Sequence, residues 1–120
     1  MIDQTSCIIA INNFTVDSLA LQKAVAAKQY VNIGVLTAKV LKDGQKVRKE
    51  CKSTIESQVG DQIDDIKACL QKVEVLLDDI EVIQKDYESG NYINLVKDVL
   101  KAKPDIQAAK DICSKVVPSH

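Results

Sequence analysis

The chain has 120 residues, of which 46% are hydrophobic and 28% are charged, while aromatic residues make up only 3%. These proportions predict a single domain with an aliphatic core and exclude a disordered chain. Residues 1–60 carry eight Lys/Arg against five Asp/Glu, or +3, and residues 61–120 carry eight against twelve, or −4. The two halves should attract each other, and no uniform charge favours nucleic acid or an anionic membrane.

The sequence has no apolar run near the roughly 18–20 residues that a membrane-spanning helix needs, so we expect no transmembrane segment. Residues 1–4 lack the basic and long apolar regions of a secretory signal. We therefore expect either a cytosolic chain or a mature protein with a new initiator Met.

The sequence matches itself at one constant offset, which maps Cys7 onto Cys69 and Cys51 onto Cys113. The same offset aligns Asp17 with Asp79, Gln22-Lys23 with Gln84-Lys85, Tyr30 with Tyr92, Asn32 with Asn94, Lys39 with Lys101, Asp43 with Asp105, and Gln45 with Gln107. Self-similarity at this period indicates a duplicated unit as long as a helical hairpin. We predict one domain over 1–120 with internal repeats at 7–53 and 69–115.

Apolar residues recur every three or four positions and predict four amphipathic helices. The first should run over about 8–28 and the second over about 31–58. Gly60 suits the left-handed position that ends a helix, and Asp61 suits the N-cap of the next.

The third helix should end near Glu88, because Ser89-Gly90-Asn91 is a strong turn signal. The fourth should start near Tyr92 and fade by 116–118. Gly44 and Pro104 interrupt the second and fourth helices, and Pro104 should remove a backbone hydrogen bond and kink its helix.

Short connections make neighbouring helices antiparallel, which predicts an all-α, up-down-up-down four-helix bundle. The midpoint of the chain between Cys7 and Cys51 is position 29, and the midpoint between Cys69 and Cys113 is position 91. Both midpoints lie in predicted connections between helices. All four cysteines should therefore lie in one layer. The second and third helices continue beyond this layer into a tip that is either a contact surface or covered by the chain's tails. The tip residues are Ile55, Val59, Ile63 and Ile66.

Three interpretations of the cysteines remain open. Facing helices can bring cysteines close enough for disulfides, either within the hairpins or in the pairing Cys51–Cys69 with Cys7–Cys113. Duplication favours the first pairing, because an ancestral hairpin could only have bridged itself. The alternatives are four reduced thiols in the core, or a tetrahedral zinc site that lacks the usual Cys-x-x-Cys pairs. Disulfides would indicate an oxidising compartment, hence a secreted or lumenal protein.

Few residues suggest a reaction. The sole histidine is the terminal His120, so a Ser/His/Asp or Cys/His nucleophilic site is hard to build. A di-iron carboxylate site with its Glu-x-x-His motifs is excluded, and no Gly-rich phosphate loop is present. We predict no enzyme, no cofactor and no metal. Asn13-Phe14-Thr15 is a glycosylation sequon, which makes Asn13 a candidate site, although a plain surface residue is the commoner outcome.

Two charged clusters are interpreted mainly as solvated helix faces. The acidic cluster on the third helix contains Asp64, Asp65, Asp78, Asp79 and Glu81. The basic cluster on the second helix contains Lys39, Lys42, Lys46, Arg48, Lys49 and Lys52. We expect the acidic third helix to be the partner of the basic cluster. No aromatic residues are interleaved with the lysines, which argues against nucleic acid.

The second repeat has a cysteine, a helix rich in Val, Ile and Asp, the segment Gly90-Asn91-Tyr92-Ile93-Asn94-Leu95, and a helix that closes on Cys113. This pattern resembles a repeat of short predicted secreted proteins of ciliates, over roughly 7–113. The resemblance implies secretion and no particular activity.

These features favour a non-enzymatic secreted or lumenal module that acts by protein contact or self-association, as a subunit of a larger assembly. The alternative is a carrier of a lipid or another small apolar molecule in the bundle core. Small residues at inward or flanking positions would leave space for such a ligand between the helices, although such residues more often let helices pack closely. These residues are Ala24, Ala38, Gly44, Ala102 and Ala109.

Overall fold

The computed structural model describes residues 5–57 and 62–116. Within these ranges the chain forms only helices, namely α1 (Thr5–Ala26), α2 (Tyr30–Ser57), α3 (Ile63–Ser89) and α4 (Tyr92–Cys113). Each begins and ends close to its predicted bounds. The predicted helix end at Gly60 and N-cap at Asp61 lie outside the described residues.

The helices form a closed ring, because α1 packs against α2 and α4, and α3 packs against α2 and α4. The bundle measures 49 × 22 × 18 Å, and its length agrees with the roughly 42 Å of a 28-residue helix such as α2. The prediction of an all-α four-helix bundle is confirmed. None of the described helices has a stretch long and apolar enough to cross a membrane.

Two disulfides close the hairpins. Cys7 is bonded to Cys51 and Cys69 to Cys113, with a Cα–Cα distance of 4.6 Å and a sequence separation of 44 residues in each case. All four residues are fully buried. The pairing favoured by duplication is confirmed, and the crossed pairing, reduced thiols and the zinc site are excluded because every thiol is used. The bonds fit an oxidising compartment.

The core is one aliphatic cluster that receives side chains from all four helices, with Phe14 as its fully buried aromatic residue. Thr37 is buried in it without losing its hydrogen bonds. Its hydroxyl donates to the carbonyl of Gly34 at 3.0 Å and accepts from the amide of Gln84. The α2–α3 contact is thus held by polar as well as apolar atoms.

Glycines let α2 approach α3 closely. A Cβ at Gly34 would collide with the ring of Tyr87, and a Cβ at Gly44 would lie 2.6 Å from Cδ2 of Leu77. Leu77 is nearly fully buried, so it has little room to move. Gly44, which weakens α2 as an isolated helix, therefore improves the packing of the bundle.

The helix α4 continues through Pro104 and ends only at Cys113. Pro104 and Leu100 are both exposed. Because proline removes the helical donor to the carbonyl of Leu100, that carbonyl needs another partner, and water can reach it on this face.

The connections after α1 and α3 share one backbone feature. Lys28 and Gly90, which occupy equivalent positions of the two repeats, both adopt left-handed conformations, with φ of 56° and 74°. Asn91 then caps α4, because its side chain accepts a hydrogen bond from the backbone N–H of Asn94 at 3.2 Å. Only glycine adopts a left-handed conformation without strain, so Lys28 is the less favourable choice.

We predict that Lys28→Gly stabilises the fold by about 0.5–1 kcal/mol, since relief of left-handed strain exceeds the entropy that glycine adds to the unfolded chain. Gly90→Lys, the reverse change at the other connection, should destabilise it by a similar amount. Urea unfolding of both oxidised variants tests this. Equal stability of the two variants and the parent would contradict it.

Loss of one disulfide should reduce the free energy of unfolding by about 4 kcal/mol, the chain-entropy value for a loop of about 45 residues. We expect Cys7→Ala/Cys51→Ala and Cys69→Ala/Cys113→Ala to have similar effects, because the two loops are equally long. Guanidinium unfolding of each double variant measures this. A loss below about 1 kcal/mol in either would contradict a constraining role.

Candidate functional site

The predicted tip offers less apolar surface than expected. Ile66 is fully buried in the core, so its prediction as a contact residue is wrong, while Ile55 and Ile63 are half-buried. Val59 lies outside the described residues. Ile66 is three residues before Cys69, and the buried Val116 is three residues after Cys113. Because these cysteines are bonded across antiparallel helices, Val116 lies at the height of Ile66 and helps to close the core there.

The outer face of α1 is unusually apolar. This α1 outer face consists of Ile9, Asn13, Val16 and Leu19, and its apolar members are 53%, 66% and 39% exposed. Asn13, the candidate glycosylation site, is exposed between Ile9 and Val16. The 22 residues of α1 include two charged ones, whereas the 27 residues of α3 include eleven. A surface helix normally has a charged outer face, and α1 has the fewest charged residues of the four helices, although Val31 of α2 and Ile93 of α4 are the more exposed apolar side chains.

The expected attraction between α2 and α3 is confirmed at one point. Arg48 donates two hydrogen bonds to Glu74, each 2.7 Å long. Both side chains are about half exposed, so the pair adds little stability and mainly fixes the orientation of two neighbouring helices.

Two pairs of aspartates face each other across the hairpins. In the first carboxyl pair, Asp17 of α1 lies close enough to Asp43 of α2 for a hydrogen bond when one of the two carries a proton, and in the second, Asp79 of α3 lies in the same way beside Asp105 of α4. The pairs occupy equivalent positions of the two repeats. Burial, the hydrogen bond and repulsion from the partner carboxyl raise the pKa of Asp43 to about 7. The same causes raise the pKa of Asp79 to about 7.

A third pair, Asp86 and Asp98, occurs only in the α3–α4 hairpin. Its hydrogen bond, followed by desolvation and repulsion, raises the pKa of Asp86. The equivalent positions of the first repeat hold Ala24 and Leu36 instead. The second hairpin therefore has two carboxyl contacts where the first has one.

One carboxyl oxygen in each pair is closed off from solvent. These atoms are Oδ2 of Asp43, Asp79 and Asp86, and none has a donor among the described protein groups. Two carboxylates cannot donate to each other, so a hydrogen bond between them requires a proton on one. The pairs are chemically suited to hold protons.

The surroundings of the two pairs differ. Lysines surround the first pair in a groove of about 590 Å³, which is lined by Asp17, Lys39, Lys42, Asp43, Gln45, Lys46, Lys49 and Glu50. The second pair lies near Asp78 and Asp98, with Lys101 also lining its groove. Among the described residues, no group of three or more His, Cys, Asp or Glu is placed to hold a metal ion.

Sequence reasoning missed the pairs, although the signal was present. Asp17 and Asp43 average to position 30, and Asp79 and Asp105 average to position 92, each one residue from the midpoint of the cysteines. The arithmetic that placed the cysteines at one height places the aspartates as well. Asp64, Asp65, Asp78 and Glu81 are exposed as predicted, whereas Asp79 is not a plain solvated residue.

Comparison with known proteins finds no matching family model, curated protein or solved structure.

Proposed function

We propose that this chain is a non-enzymatic secreted or lumenal module that acts by protein contact, with the α1 outer face as its contact surface and a second copy of the chain as its partner. The two disulfides support an oxidising compartment, and the resemblance to ciliate secreted proteins agrees with secretion. We place the contact surface on α1 and not at the predicted tip, because Ile66 of the tip is buried.

The α1 outer face is the observation that carries the proposal. A helix that is apolar on all sides is normally covered by other protein. On α1 the core side is apolar as in the other helices, and the outer side adds Ile9, Val16 and Leu19. Lys23 is the exposed charge on this helix, since Asp17 is half-buried in the first carboxyl pair.

The surface area available for a contact is larger along a side of the bundle, such as α1, than at one of its ends. The 22 residues of α1 are about 33 Å long, and over the 18 Å width of the bundle they give about 600 Å² per partner, or about 1,200 Å² in total. That total reaches the lower bound for stable interfaces. An end of the bundle, with a cross-section of 22 × 18 Å, gives only about 800 Å² in total, which is typical of crystal packing.

Charge permits a second copy on this face. If two α1 helices cross antiparallel at Val16, the two Lys23 residues lie seven positions to either side of the crossing, about 21 Å apart. This distance exceeds the Debye length of about 8 Å, so their repulsion is screened. The face is self-complementary in the sense that a twofold dimer requires.

A carrier of small apolar molecules has less support. The space at Gly34 and Gly44 is filled by Tyr87 and Leu77, so these small residues serve close packing. The groove beside Ile55 and Leu70 is largely apolar but has a volume of about 260 Å³, below the roughly 300–1,000 Å³ of ligand pockets.

We predict that the oxidised protein dimerises and that Val16→Glu makes it monomeric, because a buried carboxylate without a partner opposes association. Val82→Glu on α3 is the matched control, since Val82 is also an exposed helical valine, at 46%. Sedimentation equilibrium up to millimolar protein measures both. A monomeric parent, or equal loss of dimer in the two variants, would contradict the proposal.

Glycosylation at Asn13 is incompatible with this contact, because the sugar would cover Ile9 and Val16. We therefore expect Asn13 to be unmodified in protein from its natural source. Peptide mass spectrometry with and without an amidase that removes N-glycans tests this. An added hexose-rich mass at Asn13 would assign the α1 outer face to carbohydrate and contradict the contact.

A further inference from the structure

We propose that the two equivalent carboxyl pairs make the fold a proton-responsive device, in which each hairpin holds a proton between its helices and is tightened as pH falls from neutral to mildly acidic. This device depends on the geometry of the hairpins and is independent of the α1 contact.

The geometry favours an added proton. Each pair joins two helices of one hairpin, and its closed-off oxygens, Oδ2 of Asp43 and Oδ2 of Asp79, have no N–H or O–H donor from the described protein groups. With a proton the pair is a hydrogen bond that links the helices. Without it, two negative charges repel each other at the same contact.

The charged groups around the first pair do not replace the proton. From α1, Asp17 faces Asp43, and repulsion between them disfavours ionisation. From α2 itself, Lys39 and Lys46 favour the ionised form, but burial and the contact with Asp17 outweigh them. On the other side of α2, Glu74 of α3 is engaged by Arg48.

The second pair has fewer cations nearby. From α4, Asp105 and Asp98 oppose ionisation of Asp79, and the neighbouring Asp78 of α3 adds to this. Lys101 of α4 lines the same groove. Arg48 of α2, across the other contact of α3, is bonded to Glu74.

The sign of the pH dependence follows from linkage. The pKa values of Asp43 and Asp79 are raised from 3.8 to about 7 in the folded protein, so between these values the folded state binds more protons than the unfolded chain. The stability that the pairs contribute is therefore fully present below the unfolded pKa and is lost as pH rises through about 7.

Urea unfolding of the oxidised protein between about pH 5 and pH 8 tests the proposal. With a pKa of about 7 in the folded protein and 3.8 in the unfolded chain, stability changes by at most about 100-fold per pair between pH 5 and pH 8. Partial solvent exposure reduces this limit, so we expect the unfolding constant to be about tenfold larger at pH 8 than at pH 5. Asp43→Asn/Asp79→Asn should reduce this dependence to what the Asp86–Asp98 pair contributes, and it should be the more stable protein at pH 8, because each amide can donate to the remaining carboxylate. The control Asp64→Asn/Glu88→Gln, at exposed positions, should keep the parental slope.

Proton release provides a test that needs no variant. Unfolding the parent in weakly buffered urea near pH 6 should release about two protons per chain, because the unfolded carboxyls ionise. No release, or a stability that is flat across the pH range, would overturn the proposal. Stabilisation by Ca²⁺ at pH 8 that is lost in Asp43→Asn/Asp79→Asn would also overturn it and assign the pairs to a cation.

Discussion

The rest of the structure depends on a covalent constraint on register. Cys7–Cys51 and Cys69–Cys113 join positions that are equally far from their turns, so each disulfide prevents one helix of a hairpin from sliding along the other. Residues at matching distances from the turn are then held opposite each other. The carboxyl contacts between Asp17 and Asp43 and between Asp79 and Asp105 follow from this register.

Differences between equivalent positions give the bundle its asymmetry. At the α2–α3 contact, the small Gly44 of α2 makes room for the large Leu77 of α3. The equivalent of Gly44 in the other repeat is the large Ile106 of α4, and the equivalent of Leu77 is the smaller Thr15 of α1, so the sizes are reversed. Charge is also unevenly distributed, since α3 is rich in carboxylates and α1 is nearly uncharged. The fold thereby acquires one strongly charged flank and another that is nearly uncharged.

The sequence predicted the helices and the disulfides because both depend on regular spacing. It left open whether the tip is covered by the tails or exposed, since the burial of Ile66 depends on Val116 reaching the same height after the end of α4. The carboxyl pairs were missed because each aspartate was assessed by the face of its own helix and not by its height in the hairpin. The left-handed conformation of Lys28 was not predicted, because glycine is the residue that usually occupies this conformation at the end of a helix.

The central claim is that each hairpin is closed on itself, and disulfide mapping tests it most directly. The intact mass of the protein should lie about 4 Da below that of the fully reduced chain, because each disulfide removes two hydrogens. Proteolysis without reduction should then yield peptides that link Cys7 to Cys51 and Cys69 to Cys113. Free thiols, or a peptide that links Cys51 to Cys69, would contradict the register on which the carboxyl pairs and the packing of the bundle depend.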